Sequence, residues 1–349
     1  MGIDWGIIIQ QFFSQGVGIN AMVFAMAAIG LNIHFGYTGL LNFGHVGFMA
    51  AGAYGVGMTV FWLDQSLWLG ILVGLLLPTL MALILGIPTL RLRADYLGIT
   101  TIAASEALRI FVRWRGNQER TGASGGINDF ADEFFEFNIF TRPGTETYDF
   151  APFGLTIFQF RAADMWMLLI GWTLVAFFLL LTWQLMRSPW GRALKSIRED
   201  EDAARALGKN AYAYKLQALV LGGVIAGVAG MLQVISRQSV QPDTFNPVIT
   251  FLIWTILIIG GVGKVASPVA GSMIYWALIS GLITFMRELI GTDLSDELER
   301  FLSLSVLNVD QLRFVIFGLA LMLLMWFRPQ GVFGNREEMA LDDLSLIHI

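Results

Sequence analysis

Cysteine is absent from all 349 residues, which excludes a disulfide framework, a thiol nucleophile and thiolate metal sites. Histidine occurs only three times. No zinc-ligand spacing, Ser/His/Asp constellation or haem ligand pair stands among the other residues, so an enzyme is not expected. Charge is scarce too: Asp, Glu, Lys and Arg make up 14% of the chain against 56% hydrophobic residues, and the mean hydropathy is +0.65. So few charges cannot cover a soluble surface of this size. The net charge of −5 says little, because charge is distributed loop by loop rather than by domain. A basic n-region is missing before the first apolar stretch, so the first helix is expected to act as its own insertion signal.

What the chain has instead is long uncharged runs. No Asp, Glu, Lys or Arg lies between Trp5 and Leu63, and further runs cover 65–90, 165–186, 216–236, 244–263 and 265–286. A helix needs roughly 20 apolar residues to cross the hydrocarbon, so the first run is long enough for two crossings and each later one for one. The fold class is an all-α polytopic membrane protein with nine expected spans at 17–35, 46–63, 66–90, 95–112, 164–186, 214–235, 246–263, 266–285 and 311–327. The last has a short apolar core, which Arg313 and Arg328 can extend by reaching to the interfaces.

Basic residues set the orientation. The 187–215 loop carries Arg187, Arg192, Lys195, Arg198, Arg205, Lys209 and Lys215 and is expected in the cytoplasm. Arg91, Arg93, Lys264 and Arg328 then also fall inside. The polar segment 113–163, with Gly122, Gly125, Gly126, Pro143 and Gly144, falls outside with room for short interfacial elements. So does 286–310, made acidic by Glu288, Asp293, Asp296, Glu297 and Glu299. This places the N-terminus out and the C-terminus in. Residues 1–335 form the membrane domain and 336–349 a cytoplasmic tail, whose end, 344-LSLIHI-349, reads as frayed or artificial.

Two polar features need more than bulk burial to explain them. The loop 188-SPWGRALKSIREDEDAARALGKNAYAYK-215 opens on Ser188-Pro189, a capping hydroxyl followed by a residue suited to the first helical position. A second short helix can begin near Asp200, where the acidic run 199–202 complements a helix N-terminus, and stop at Gly208. Ala203, Ala204 and Ala206 are expected to give it a small-residue face that a partner can approach closely. Such a folded knob suits transmission of a cytoplasmic partner's rigid-body motion into the flanking helices. The second feature, 36-GYTGLLNFGHVGFMAAGAYG-55, puts glycines, Asn42 and His45 inside an uncharged run. Gly36 and Gly39 can break a helix there, while Gly47, Gly52 and Gly55 allow close helix packing. Asn42 and His45 can either repair broken backbone or line a translocation path. Glu106 and Arg109, three apart, can pair on one helix face as a structural pair or a pathway element. Gly223, Ala226, Gly227 and Gly230 form a further close-packing stripe.

The loop resembles the cytoplasmic coupling loop of the branched-chain amino acid permease family of ABC importers, on Gly191, Arg192, Ala193, Ile197, Arg198, Glu199, Asp200, Glu201, Ala203, Ala204 and Gly208. Gly39, Leu40, Asn42, Phe43, Gly44 and His45 are similar to a second run of that family. So is 260-GGVGKVASPVAG-271, apart from Lys264 and Ser267, and 91–101 and 328–334 extend the likeness over about 17–335. The resemblance implies an ATP-driven permease for leucine, isoleucine and valine. It also implies a second homologous permease chain, two ABC ATPase subunits holding ATP and Mg, and an extracytoplasmic solute-binding protein, in a bacterial or archaeal cytoplasmic membrane. No nucleic-acid partner is expected. No nucleotide site is expected in the chain itself: before Gly263-Lys264 the phosphate-loop pattern needs a glycine where Ile258 stands, and Val265 replaces the hydroxyl residue. Alternatives are an ABC permease for urea or short-chain amides, an ion-coupled secondary transporter using Glu106 and Arg109, which would show inverted halves not evident here, and a passive amide channel.

Overall fold

The computed structural model describes residues 4–91, 94–140, 147–150 and 158–290, with Gly318, Leu319, Met322, Trp326, Val332 and Phe333. The expected acidic stretch 291–310, most of the ninth span, and Arg93, Pro143, Gly144, Arg313, Arg328 and the 336–349 tail lie outside the described residues.

The first uncharged run folds as α1 (Trp5–Gly16) and α2 (Ile19–Leu31), continued by a π-helical turn, Asn32–Tyr37. The helix starts well before the expected residue 17 because the Asp4 carboxylate accepts from the Gly6 and Ile7 amides and caps it. After an irregular stretch, 38–44, come α3 (His45–Phe61), α4 (Leu67–Thr89) and α5 (Ala94–Arg113). The next segment holds short pieces: α6 (Gln118–Thr121), β1 (Ile127–Asn128), α7 (Asp132–Glu136) and the hairpin β2 (Thr147–Phe150) and β3 (Phe158–Arg161). Then follow α8 (Ala162–Arg187), the pair α9 (Pro189–Glu199) and α10 (Glu201–Ala206), α11 (Ala211–Arg237), β4 (Ser239–Val240), α12 (Pro247–Gly260) and α13 (Ser267–Ile290).

Five helical segments among the described residues are long and apolar enough to cross a membrane: 5–37, α4, α8, α11 and the 267–288 stretch of α13; α3 and α12 are shorter apolar helices. The first eight expected spans all fall on helices. Their outward faces carry Trp68, Leu72, Leu76, Ile84, Phe177 and Leu180, as lipid contact requires.

At the centre sits α11, packed on α2, α3 and α4. Small residues make this possible: a Cβ at Gly52 would strike the Gly227 backbone, one at Gly230 the Met49 carbonyl, and one at Gly55 the Gly74 backbone. These close approaches replace the hydrophobic driving force that helices lack in lipid. At one end of the bundle β1 pairs with β4 through Ile127↔Val240 and Asn128↔Ser239. There the Glu133 carboxylate accepts from the Leu67 amide at 2.8 Å and the Trp166 indole donates to the Phe134 carbonyl at 2.9 Å. The 113–163 segment is thus fastened to α4, α8 and the α11–α12 connection. Its short strands had no signal beyond turn residues.

Replacing Gly52 with alanine should overpack the α3–α11 contact and cost about 1–3 kcal/mol. In detergent its thermal unfolding midpoint should fall, whereas Gly125→Ala, with open space around it, should match the parent.

Candidate functional site

The π-helical turn and the break after it gather the buried polar groups. His34, Asn42 and His45 are each fully or almost fully buried. A carbonyl only accepts, so His34 Nε2 donates to Leu219 O on α11 at 3.0 Å. Its Nδ1 then accepts from Asn42 Nδ2 at 3.0 Å, and Asn42 Oδ1 accepts from the Gly44 amide at 3.0 Å. The Gly44 amide is shared with Thr101 Oγ1 of α5 at 3.2 Å. The Val46 amide, left free at the start of α3, donates to Thr250 Oγ1 of α12 at 3.0 Å. The Trp254 indole donates to the Asn42 carbonyl at 3.2 Å, and His45 Nε2 to the Ala27 carbonyl at 2.9 Å. Gly44 lies so close to Thr101 that a Cβ would overlap its carbonyl, and Gly39 takes φ +71°, a left-handed turn that glycine adopts without strain.

The opposite face of the π-helical turn meets the polar loops. Asn32 Nδ2 donates to the Lys264 carbonyl at 2.8 Å and its Oδ1 accepts from the Gly263 amide at 3.0 Å, holding the glycine-rich turn that Gly261 and Gly263 close with positive φ. Arg198 of α9 donates to the Gly36 carbonyl, and Lys195 lies 6.0 Å from the Tyr37 ring centre. One six-residue turn therefore touches the break, the 260–267 turn and the loop helix pair together.

That pair folds as its caps predict. Ser188 Oγ accepts from the Trp190 amide at 3.2 Å, Asp200 Oδ1 from the Ala203 amide at 2.9 Å, and Gly208 follows α10 with φ +77°. The expected small-residue face is divided: Ala203 and Ala206 are exposed, but Ala204 turns inward to pack with Ile197 and Ala211. Gly191 also faces inward, with no room for a Cβ against the Leu185 and Met186 backbone, and Ala193 is buried beside it. Glu201 is held by Arg205 at 2.6 Å and by Lys215 at the start of α11. Arg192, Glu199, Asp200, Ala203 and Gly208 face outward, next to Leu207, which is 82% exposed. Sequence reasoning passed over Leu207, although a large apolar residue in a charged loop was a visible signal.

Glu106 is not part of the break. Its carboxylate binds Arg109 at 2.5 and 2.9 Å, and Arg109 reaches Asp243 in the α11–α12 connection at 3.0 Å, which Arg113 also contacts at 3.1 Å. Sequence reasoning also missed His34, whose ionisable ring in an uncharged run was the available clue. Asn32, Thr101, Thr250 and Trp254 had none. Among the described residues no group of acidic or histidine side chains could hold a metal ion.

A bundle with irregular backbone satisfied at its centre, and a capped helix pair gripping that irregularity from one end, defines a polytopic α-helical transport protein. Residues 16–309 match the family described as the branched-chain amino acid transport system permease component. The chain belongs to this family of ABC permeases, which makes it a multi-pass plasma-membrane transport subunit rather than an enzyme. It is 28% identical over 337 residues to the high-affinity branched-chain amino acid transport system permease protein LivM of Salmonella typhimurium, covering 95% of this chain and 72% of that protein. The Escherichia coli protein of the same name is 29% identical over 337 residues, with the same coverage. A probable LivM of Methanocaldococcus jannaschii is 23% identical over 351 residues, covering 90% of this chain and 91% of that protein. No solved structure matches the chain significantly.

Removing the His34 ring leaves the buried Asn42 amide without its acceptor, at a cost of about 1–3 kcal/mol, and takes from the Leu219 carbonyl the donor it has beside its own helical bond in α11. His34→Ala should therefore unfold in detergent well below the parent, while Thr173→Ala, at an exposed position, should not. Equal midpoints would show that the network carries no structural weight.

Proposed function

We propose that this chain is the membrane-spanning permease subunit of an ATP-driven importer that moves leucine, isoleucine or valine delivered by a solute-binding protein. In this reading one of two ATPase subunits, which hold the ATP and Mg, docks on α9 and α10, and the other on the second permease chain. A second homologous permease completes the membrane domain. The N-terminus lies outside and the C-terminus inside, with nine crossings, because the basic 187–215 loop then faces the cytoplasm.

The observation that carries the reading is the contact between Arg198 and the Gly36 carbonyl. It joins the helix pair to the π-helical turn beside the break, so displacement of α9 is delivered to a place in the bundle where the helix is already interrupted. The inward residues Gly191, Ala193, Ile197 and Ala204 make the pair rigid, and Glu201 ties it to α11 through Lys215. The outward residues Arg192, Glu199, Asp200, Ala203 and Leu207 supply the partner surface, with Gly208 ending α10 beside them. The ion-coupled alternative is less well supported, since the Glu106 carboxylate is engaged by Arg109.

Purification of the chain with its accompanying subunits, followed by reconstitution with leucine-loaded binding protein, tests this directly. The parent complex should show ATP-dependent leucine uptake. Leu207→Asp should lower uptake about tenfold or more by placing a charge in an apolar contact, with normal membrane insertion, since the side chain is exposed. Arg198→Ala should retain ATP hydrolysis but lose uptake. Full uptake by both variants would overturn the coupling role. Uptake driven by an ion gradient without ATP would overturn the importer reading.

A further inference from the structure

A second polar feature lies away from the break, at the end of the bundle that carries the β2–β3 hairpin. Gln10 and Ser14 are four residues apart on α1, as are Gln11 and Gln15, so the four share one face of the helix. That face, with Gly18, Ile19 and Asn20 below it, forms one wall of a recess of about 240 Å³. Gln159 and Phe160 of β3 and Asp164 in the first turn of α8 form the other wall. The wall is locked by two bonds: Gln10 Nε2 donates to Gln159 Oε1 at 2.9 Å, and the Gln159 amide donates to Ser14 Oγ at 3.3 Å.

The remaining polar side chains are not used up in this way. Gln11, Gln15, Asn20 and Asp164 have no hydrogen-bond or ion-pair partner among the described residues. Three carboxamides and a carboxylate, left over in a chain this short of polar groups, converge on a space the size of a small solute. A polar group within a membrane-spanning bundle ordinarily faces a cavity or a partner. A concave site with a few convergent polar groups and some apolar wall is how small solutes are held.

We propose that this recess is an outer-side subsite for a zwitterionic α-amino acid with an aliphatic side chain. Asp164 receives the ammonium group, which a neutral amide or a simple carboxylate does not offer. The amide N–H groups of Gln11, Gln15 and Asn20 donate to the solute carboxylate, and Ile19 with Phe160 covers the aliphatic part. Asp164 thereby selects for the ammonium, and the amides, being uncharged, hold the carboxylate weakly enough to let it go. This inference rests on the importer reading for its substrate class and for which side is outer.

The chain, purified with its accompanying subunits and placed in lipid nanodiscs without binding protein, would be studied by saturation-transfer NMR with leucine, 4-methylpentanoate and 3-methylbutylamine. Leucine should show transfer, and 4-methylpentanoate, which lacks the ammonium, should show little. Asp164→Asn should weaken leucine binding about tenfold, as expected for loss of a charged hydrogen bond, and Asp164→Glu should restore most of it. The Gln15→Leu, Asn20→Leu double variant should weaken leucine more than the amine. Equal leucine signals in the parent and Asp164→Asn would overturn the subsite. So would equal weakening by Asn and Glu at 164, which would mark Asp164 as a helix-start residue only. Leucine uptake by the parent complex, measured in parallel, separates the two conclusions. Uptake without an Asp164-sensitive signal removes the recess and leaves the importer standing, whereas no uptake of any aliphatic amino acid removes the importer reading itself.

Discussion

Backbone that leaves a helix inside an apolar bundle has no water to bond with and must find every partner in the protein. In this chain that constraint falls on residues 38–44, and most of the central architecture answers it. The Gly44 and Val46 amides and the Asn42 carbonyl are met by Asn42, Thr101, Thr250 and Trp254, which come from the break itself, α5 and α12. His34 adds α11 through the Leu219 carbonyl. A single interruption thus fixes the relative height of four helices. The glycines around it are needed because these bonds form only when the backbones come very close, as the Gly44–Thr101 approach illustrates.

The same interruption gives the bundle a direction. Contacts between apolar helices resist compression but do little to oppose sliding, whereas a hydrogen bond from a side chain to a carbonyl resists displacement along its own line. The α2–α11 and α3–α11 contacts are of the first kind, dominated by small residues. The contacts of the π-helical turn are of the second kind: Asn32 to 263–264, Arg198 to Gly36 and His34 to Leu219. A π-helical turn is a widened piece of helix that often marks functional positions. Here it lies where four directional bonds meet. Movement of α9 would therefore be felt first at the turn and then at the break.

How much of this could be read in the sequence depended on whether the signal was local. Ser188-Pro189, Asp200 and Gly208 act through neighbours a few residues away, and the two short helices end where those residues indicate. The helix break at Gly39 was legible for the same reason, although the π-helical turn runs on through Gly36 to Tyr37, and so was the Glu106–Arg109 pair. Nothing local distinguishes Ala204 from Ala203, and only packing on Ile197 and Ala211 turns one inward. Gly191, named in the sequence only through its likeness to the coupling loop, serves in the fold the close approach of α9 to the end of α8. The β1–β4 pairing and the reach of Arg109 to Asp243 join residues more than a hundred positions apart, and no periodicity encodes such contacts. Thr101 and Thr250 could not be told from ordinary membrane threonines until the free amides they satisfy were known.

Polar side chains in so apolar a chain fall into those spent on the protein's own backbone and those left for something else. Asn42 and His34 belong to the first group, because each bonds on both of its polar atoms. His45 is divided, with Nε2 on the Ala27 carbonyl and Nδ1 buried without a partner among the described residues. The amides along α1 belong mostly to the second group, since only Gln10 is engaged by a neighbouring side chain. A residue that already satisfies broken backbone cannot also bind a passing solute strongly, because each bond given to the solute would leave a buried group unpaired at a cost of about 1–3 kcal/mol. The tightly bonded centre is therefore suited to transmit movement, and the unspent amides and carboxylate near the hairpin are suited to meet the solute. On the proposed reading, keeping these two roles on separate residues would let the bundle stay rigid while it held its solute only weakly.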